Sequence, residues 1–238
     1  MAVFTIGDLH LSTGCDKPMD IFEGWHGYVD RLTANWCAQV APEDTVVLAG
    51  DFSWGMSLED ALGDFRLVDR LPGRKVLLKG NHDYWWSSRR KMESFFEQNG
   101  LNSLRILHNS CVCAEGLALC GTRGWMLEDG APHDQKLTAR EEGRLRASLQ
   151  AAGATGCEPV VFLHYPPLYG GAASGGMLDL LREYGVRRCY YGHLHGAACS
   201  AAFEGEWLGI TFALISADHL RFRLRSVSGG VESLKNPQ

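Results

Sequence analysis

The chain has 238 residues, with 28 acidic against 23 basic side chains and a formal net charge of −5. That length suits a single domain, 1–238, able to bury its own core without disulfide staples. The acidic balance excludes a dedicated duplex-DNA binder, and the 45% hydrophobic and 21% charged fractions exclude disorder and collagen-like structure.

Taken in order, Ala2–Ile6 is a short apolar run that reads as a buried strand. Thr45–Ala49, Lys75–Lys79, Val160–Leu163 and Arg188–Tyr191 repeat the pattern. Trp25, Val29, Leu32 and Trp36 recur at helical spacing. Ser57 opens an acid-rich first turn, with Leu62, Phe65 and Val68 on one helix face behind it. Ser87 or Ser88 caps a helix that runs through Phe95 and Phe96 to a Gly100 stop. Cys111–Ala114 and Leu117–Cys120 flank Glu115-Gly116 as a hairpin. Thr138 and Glu141 read as a capping box ahead of Leu145 and Leu149. Gly170–Gly176 is the most flexible-looking stretch, and it is too short to separate domains. Trp207–Ile215 is a strand candidate, and Leu220–Arg225 alternates apolar and basic residues. The three arginines of that last run read as the solvated face of a late antiparallel strand, or else as a phosphate-binding stripe. Alternating strands and helices imply an α/β sandwich with partly parallel pairing.

The eight cysteines are scattered without a CxxC pair, and no charged leader or long apolar run opens the chain. The expectation is a cytoplasmic protein with reduced thiols and no membrane segment.

The residues just past the buried strands carry the chemistry. Ala2–Ile6 leads into Gly7-Asp8-Leu9-His10, and Thr45–Ala49 leads into Gly50-Asp51. Lys75–Lys79 leads into Gly80-Asn81-His82-Asp83, and Val160–Leu163 into His164. Arg188–Tyr191 leads into Gly192-His193-Leu194-His195. Open α/β sheets bind ligands outside the carboxyl ends of their strands. A lone histidine in an apolar run is usually a packed core residue, but five strand ends in one chain are hard to obtain from packing alone. Asp8, His10, Asp51, Asn81, His164, His193 and His195 offer oxygen and imidazole donors without thiolate. They are too many for one tetrahedral zinc and suit two divalent ions of the manganese, iron or zinc kind. Strand alternation is expected to turn Asp8 with His10, and His193 with His195, to one side.

The ordered set GDLH, GD, GNHD, a later histidine and GHLH, spanning positions 7 to 195, resembles the calcineurin-like metallophosphoesterase superfamily. Gly50-Asp51-Phe52-Ser53-Trp54, Leu71-Pro72-Gly73 and Gly80–Trp86 further resemble a bacterial subgroup of phosphohydrolases. The resemblance implies a four-layer α/β/β/α sandwich of two mixed sheets. It implies one metal on Asp8, His10, Asp51 and His195, and a second on Asp51, Asn81, His164 and His193, with Asp51 bridging. It also implies that His82 contacts the reacting phosphate and assists the leaving group, with Asp83 orienting it.

The reaction so expected is hydrolysis of a phosphate mono- or diester. Two ions about 3.5–4 Å apart hold a bridging hydroxide that attacks phosphorus in line. The substrate is expected to be a small phosphorylated molecule, a nucleotide among the candidates. Arg123 is a catalytic candidate for a phosphate oxygen, with a salt bridge as the competing reading. Trp54, Trp85, Trp86 and Trp125 either pack beneath the loops or form a shelf for a flat substrate. Two other readings are kept: a small-nucleotide or cyclic-nucleotide diesterase on the same core, and a non-catalytic metal-bound interaction module. His26, His108, His133 and His219 are left as surface or packing residues, His133 near the mouth of the site.

Overall fold

The computed structural model of the chain describes residues 1–126 and 132–227, with the stretch 132–134 by its backbone alone. Strands β1 (Val3–Ile6), β2 (Thr45–Ala49), β3 (Arg74–Leu78) and β4 (Leu104–Ile106) run parallel in one sheet. The second sheet starts with the hairpin β5 (Val112–Ala114) and β6 (Leu117–Thr122), closed by Glu115 and Gly116, both at positive φ. This is the backbone a two-residue primed turn requires. β7 (Glu158–Leu163) follows. The glycine-rich stretch then folds into a small separate hairpin, β8 (Leu168–Tyr169) and β9 (Ala172–Ala173). β10 (Arg188–Tyr191), β11 (Gly205–Trp207) and β12 (Ile210–Leu214) complete the second sheet in the order β11-β12-β10-β7-β6-β5. Last, β13 (Arg225–Ser226) returns antiparallel to β1. Both sheets are therefore mixed, parallel in the middle and antiparallel at an edge.

Burial shows how the layers stack. Successive strand residues point to opposite faces. In the second sheet Leu119, Val160, Phe162, Tyr190 and Ala213 join the core shared with the first sheet. Their neighbours Cys120, Val161, Leu163, Cys189, Tyr191 and Leu214 join a separate core under helices α4 (Pro132–Gly153) and α5 (Gly175–Glu183). The first sheet is covered on its far side by α1 (Tyr28–Gln39), α2 (Leu62–Asp69) and α3 (Arg89–Gln98), through Leu32, Trp36, Phe65, Val68, Met92 and Phe96. The result is the expected α/β/β/α sandwich. No helix among the described residues is long and apolar enough to cross a membrane.

The sequence reading is corrected in four places. Trp207–Ile215 is not one strand, because Leu208 and Gly209 adopt positive φ and fold it into the β11–β12 hairpin. Leu220–Arg225 is turn and coil except at its end, with Arg221 and Phe222 also at positive φ. Its alternation in burial is real, but its backbone is held by α1 side chains. Asn35 donates to the Phe222 carbonyl at 3.0 Å, and the Gln39 amide pairs with both backbone groups of Leu224. Arg221 and Arg223 face solvent and Arg225 pairs with Glu204, so the three form no phosphate stripe. Ser57 accepts from the Asp60 amide, but it caps a turn, and α2 begins only at Leu62. Thr138 and Glu141 do not cap a helix, since α4 starts at Pro132 and both sit in its interior.

Candidate metal centre

All five strand-end motifs converge at one edge of the sandwich, where the carboxyl ends of β1, β2, β3, β7 and β10 meet. The convergence does not come from strand alternation. Asp8, His10, Asp51 and His193 adopt left-handed backbone, at φ of 59, 46, 48 and 75°. Non-glycine residues pay about 1–3 kcal/mol for such positions, which persist where the surroundings over-determine them. Here the loops are stitched together. The Asp8 amide donates to the Gly50 carbonyl and the His10 amide to Asp51 O, both at 2.9 Å. The His193 amide donates to both Asp8 carboxylate oxygens, and the His82 amide to Asp51 Oδ1 at 2.8 Å. Gly80 and Gly192 allow the closest approaches: a Cβ on the first would overlap Asp51, and one on the second would overlap Asp8 Oδ2.

The polar atoms form two adjoining groups, Asp8 with His10 and His195, and Asp51 with His164 and His193. In the first, His10 Nε2 and His195 Nε2 lie 3.2 Å apart, and His195 Nε2 lies 3.5 Å from Asp8 Oδ1. In the second, Asn81 Oδ1 faces His164 Nε2 at 2.6 Å and His193 Nδ1 at 3.0 Å. Asp51 Oδ2 lies between the groups, 3.8 Å from His10 Nε2 and 3.5 Å from His164 Nε2. All seven residues singled out as metal ligands are thus neighbours.

The donor chemistry fits divalent cations. Burial pushes His10 down to about 3 against the pull of Asp8, and burial with the neighbouring His164 takes His193 down to about 4. Those rings are neutral, as a ligand must be. Burial and the charge of Asp8 push Asp51 up to about 8. Burial works on Asp8 in the same direction, but the hydrogen bond and charge of His195 hold it below the ordinary carboxylate range. Two buried carboxylates in one site cannot both carry charge unless cations accompany them. On the outer side, His164 Nδ1 meets the Ala49 carbonyl at 3.2 Å, which leaves Nε2 for the site.

His82 sits over the first group, with its ring centroid 4.5 Å from Trp54 and 5.9 Å from His10. Asp83 does not orient it. The Asp83 carboxylate is fully buried and accepts hydrogen bonds from the amides of Asp51, Phe52, Ser53 and Gly80 and from Trp85 Nε1. It staples the Gly50-Asp51 loop to the Gly80–Asp83 loop, while His82 Nδ1 is buried without a hydrogen-bond partner. A carboxylate so strongly claimed by backbone donors has no lone pair directed at the ring.

The tryptophans divide. Trp85 is core, packed against Phe52 and Phe65. Trp54 is part of the site, stacked on His10 at 4.9 Å. Trp86 leans on Trp85 and His108, and Trp125 on Tyr165. Arg123 lies beside Glu141 and Trp125. His26 is exposed and His219 pairs with Glu204, while the His133 side chain falls outside the described residues.

Asp218 is a site residue that the sequence reading missed. Its Oδ1 lies 3.0 Å from His195 Nδ1 and its Oδ2 accepts from the Gly196 amide. It follows β12, whose carboxyl end lies beside that of β10, so the strand-end rule applied there would have found it.

The description "Calcineurin-like phosphoesterase" belongs to the family model that matches residues 1–197. No curated protein matches the chain. Three solved structures are similar in fold. Phosphopantetheinyl hydrolase (PptH) from Mycobacterium tuberculosis is 14% identical at TM-score 0.58, over 99% of this chain and 98% of that one. TT1561 of Thermus thermophilus is 10% identical at TM-score 0.56, over 94% of this chain and 96% of that one. The protein of unknown function AQ665 from Aquifex aeolicus is 16% identical at TM-score 0.51, over 94% of this chain and 95% of that one. With the match covering the whole span from the first strand past His195, the chain belongs to the calcineurin-like phosphoesterase family.

Proposed function

We propose that the protein hydrolyses a phosphate ester of a small molecule at a two-metal centre. Asp8, His10, Asp51 and His195 would hold one ion, and Asp51, Asn81, His164 and His193 the other. The observation that carries this reading is the position of Asp51 Oδ2, within 4 Å of an imidazole nitrogen of each group. Two divalent ions bound there would supply Lewis-acid charge for the phosphoryl oxygens and acidify water.

The chain's own groups do the rest. His82 lies part-buried at the edge of the site, where burial and the neighbouring His164 lower its pKa, and its ring, once protonated, would give that proton to the departing alkoxide oxygen. Trp54 fixes the planes of His10 and His82 together by packing on both. Asp83 holds the two loops that carry Asp51, Asn81 and His82 at a fixed separation, so ligand and acid keep one geometry. The donor set of oxygen and imidazole suits manganese, iron or zinc.

The test is hydrolysis of p-nitrophenyl phosphate and bis-p-nitrophenyl phosphate by protein reconstituted with Mn²⁺, Fe²⁺ or Zn²⁺. Turnover of either ester that is abolished by chelation and by Asp51→Asn supports the reading, and identifies mono- or diesterase. Metal binding at two equivalents with no turnover of any phosphate ester would leave an interaction module instead.

A further inference from the structure

Arg123 stands next to the metal centre in the second sheet. Its carbonyl accepts the amides of His164 and Tyr165 at 3.1 and 2.8 Å. Its guanidinium lies 5.1 Å over the Trp125 ring and 3.7 Å from Glu141 Oε1. Two more guanidiniums, from α4, meet that same oxygen: Arg144 at 2.7 Å and Arg140 at 3.8 Å. The Glu141 side chain is fully buried, and its other oxygen accepts the Thr122 hydroxyl at 2.6 Å.

Three guanidiniums on one carboxylate leave a local surplus of positive charge. One carboxylate neutralises one guanidinium, so the charge of the other two is left for solvent or for a bound anion. Arg123 is the most enclosed of the three, with 14% of its side chain exposed, and its Nε is buried without a hydrogen-bond partner. Lys79, just past β3, lies near enough to the cluster to interact electrostatically with Arg123, Arg144 and Glu141. Basic groups from both sheets and from α4 thus flank the β3 and β6 side of the metal centre.

We propose that this cluster binds a second phosphate group of the substrate, so that the substrate class is a small bisphosphorylated molecule. One phosphate is placed at the metals and the other on the forks of Arg123 and Arg144, with Glu141 holding those forks in position. Planar guanidiniums suit this task because each offers paired donors to two phosphate oxygens. The inference rests on the hydrolytic reading for the first phosphate only.

Two matched pairs of probes test it on metal-loaded protein. The first pair is adenosine 5′-monophosphate and adenosine 3′,5′-bisphosphate as substrates. The second is methylphosphonate and methylenebisphosphonate as non-hydrolysable ligands in titration calorimetry. In the unaltered protein the two-phosphate member of each pair should be favoured at least ten-fold, in kcat/KM through KM, and in Kd. Arg144→Ala should remove most of that preference. Arg123→Lys, which keeps the charge and loses the fork, should weaken it. If thermal melting shows that Arg144→Ala does not fold, Arg144→Gln, which keeps a hydrogen-bond donor toward Glu141 and loses the charged fork, reads the same preference. Equal preference in the unaltered protein and in all variants overturns the proposal while leaving hydrolysis intact. Absence of turnover together with an arginine-dependent bisphosphonate preference overturns the hydrolytic reading and keeps the second site.

Discussion

Asp218 Oδ1 lies 3.0 Å from His195 Nδ1, on the side of the ring away from Asp8. Burial alone would lower the His195 pKa, but the hydrogen bonds and charges of Asp218 and Asp8 hold it up at about 10. The contact fixes which nitrogen faces the site: Nε2 points inward, and a bound cation would have to displace the proton that Asp218 and Asp8 otherwise keep on the ring. Outer carboxylates of this kind typically carry 10- to 100-fold of metal affinity. Asp218→Asn cannot accept both from His195 and from the Gly196 amide, because one of its two terminal atoms is a donor. It should therefore weaken one of the two proposed metal sites by roughly 10- to 100-fold. Titration calorimetry with Zn²⁺ should show one of two equivalents weakened, with the other unchanged.

Gly192 marks a second dependence on close packing. A Cβ there meets Asp8 Oδ2, whose carboxylate also receives the His193 amide. Gly192→Ala should displace Asp8 and lose one metal equivalent in elemental analysis, at a stability cost of about 1–3 kcal/mol from overpacking. Retention of both metals would show that the loop yields easily.

His82 contributes a proton in the proposed reaction, so its effect should scale with the need for one. His82→Ala should lower kcat on an alkyl phosphate by roughly 10²- to 10⁴-fold. The loss on p-nitrophenyl phosphate should be smaller, because p-nitrophenolate leaves readily without protonation. Metal content should not change. Equal losses on both esters would assign His82 to phosphate positioning instead.

The candidate ligand set was legible in the sequence because each member lies within a few residues of a strand end. The strand, the glycine and the ligand form one local phrase, as in Tyr191-Gly192-His193-Leu194-His195. Asp218 and Asp83 also follow strand ends, but the partners of each could not be read from that position, and Glu141 lies within a helix. Asp218 works on a histidine 23 residues away, and Asp83 accepts amides some 30 residues back. Glu141 sits three residues after Thr138, which mimics a capping box, and only the tertiary contact with Thr122 shows that it is buried. The fold was legible for the same reason as the ligands: buried parallel strands are short, apolar and locally bounded. Leu220–Arg225 misled because Asn35 and Gln39 replace a strand partner, an option that periodicity does not register.

Lys75 offers a test away from the site. It lies at the opposite end of β3 from Asn81, fully buried, with its ammonium donating to the carbonyls of Leu71 and Asp69 and to Ser103 Oγ. Burial pulls its pKa down to about 8, against the opposing charge of Asp69. Between that value and the ordinary 10.5, the unfolded chain binds a proton that the folded chain has released. Stability from this group therefore rises with pH across the window, and its penalty is fully present below about 8. The slope is some fraction of the one-proton limit of about 1.4 kcal/mol per pH unit. Lys75→Met removes the proton and should flatten the difference between pH 7.5 and pH 10 in urea unfolding. A variant with the same pH slope as the unaltered protein would show that the ammonium keeps its ordinary affinity for the proton, and that its three oxygen partners fully replace the water it lost.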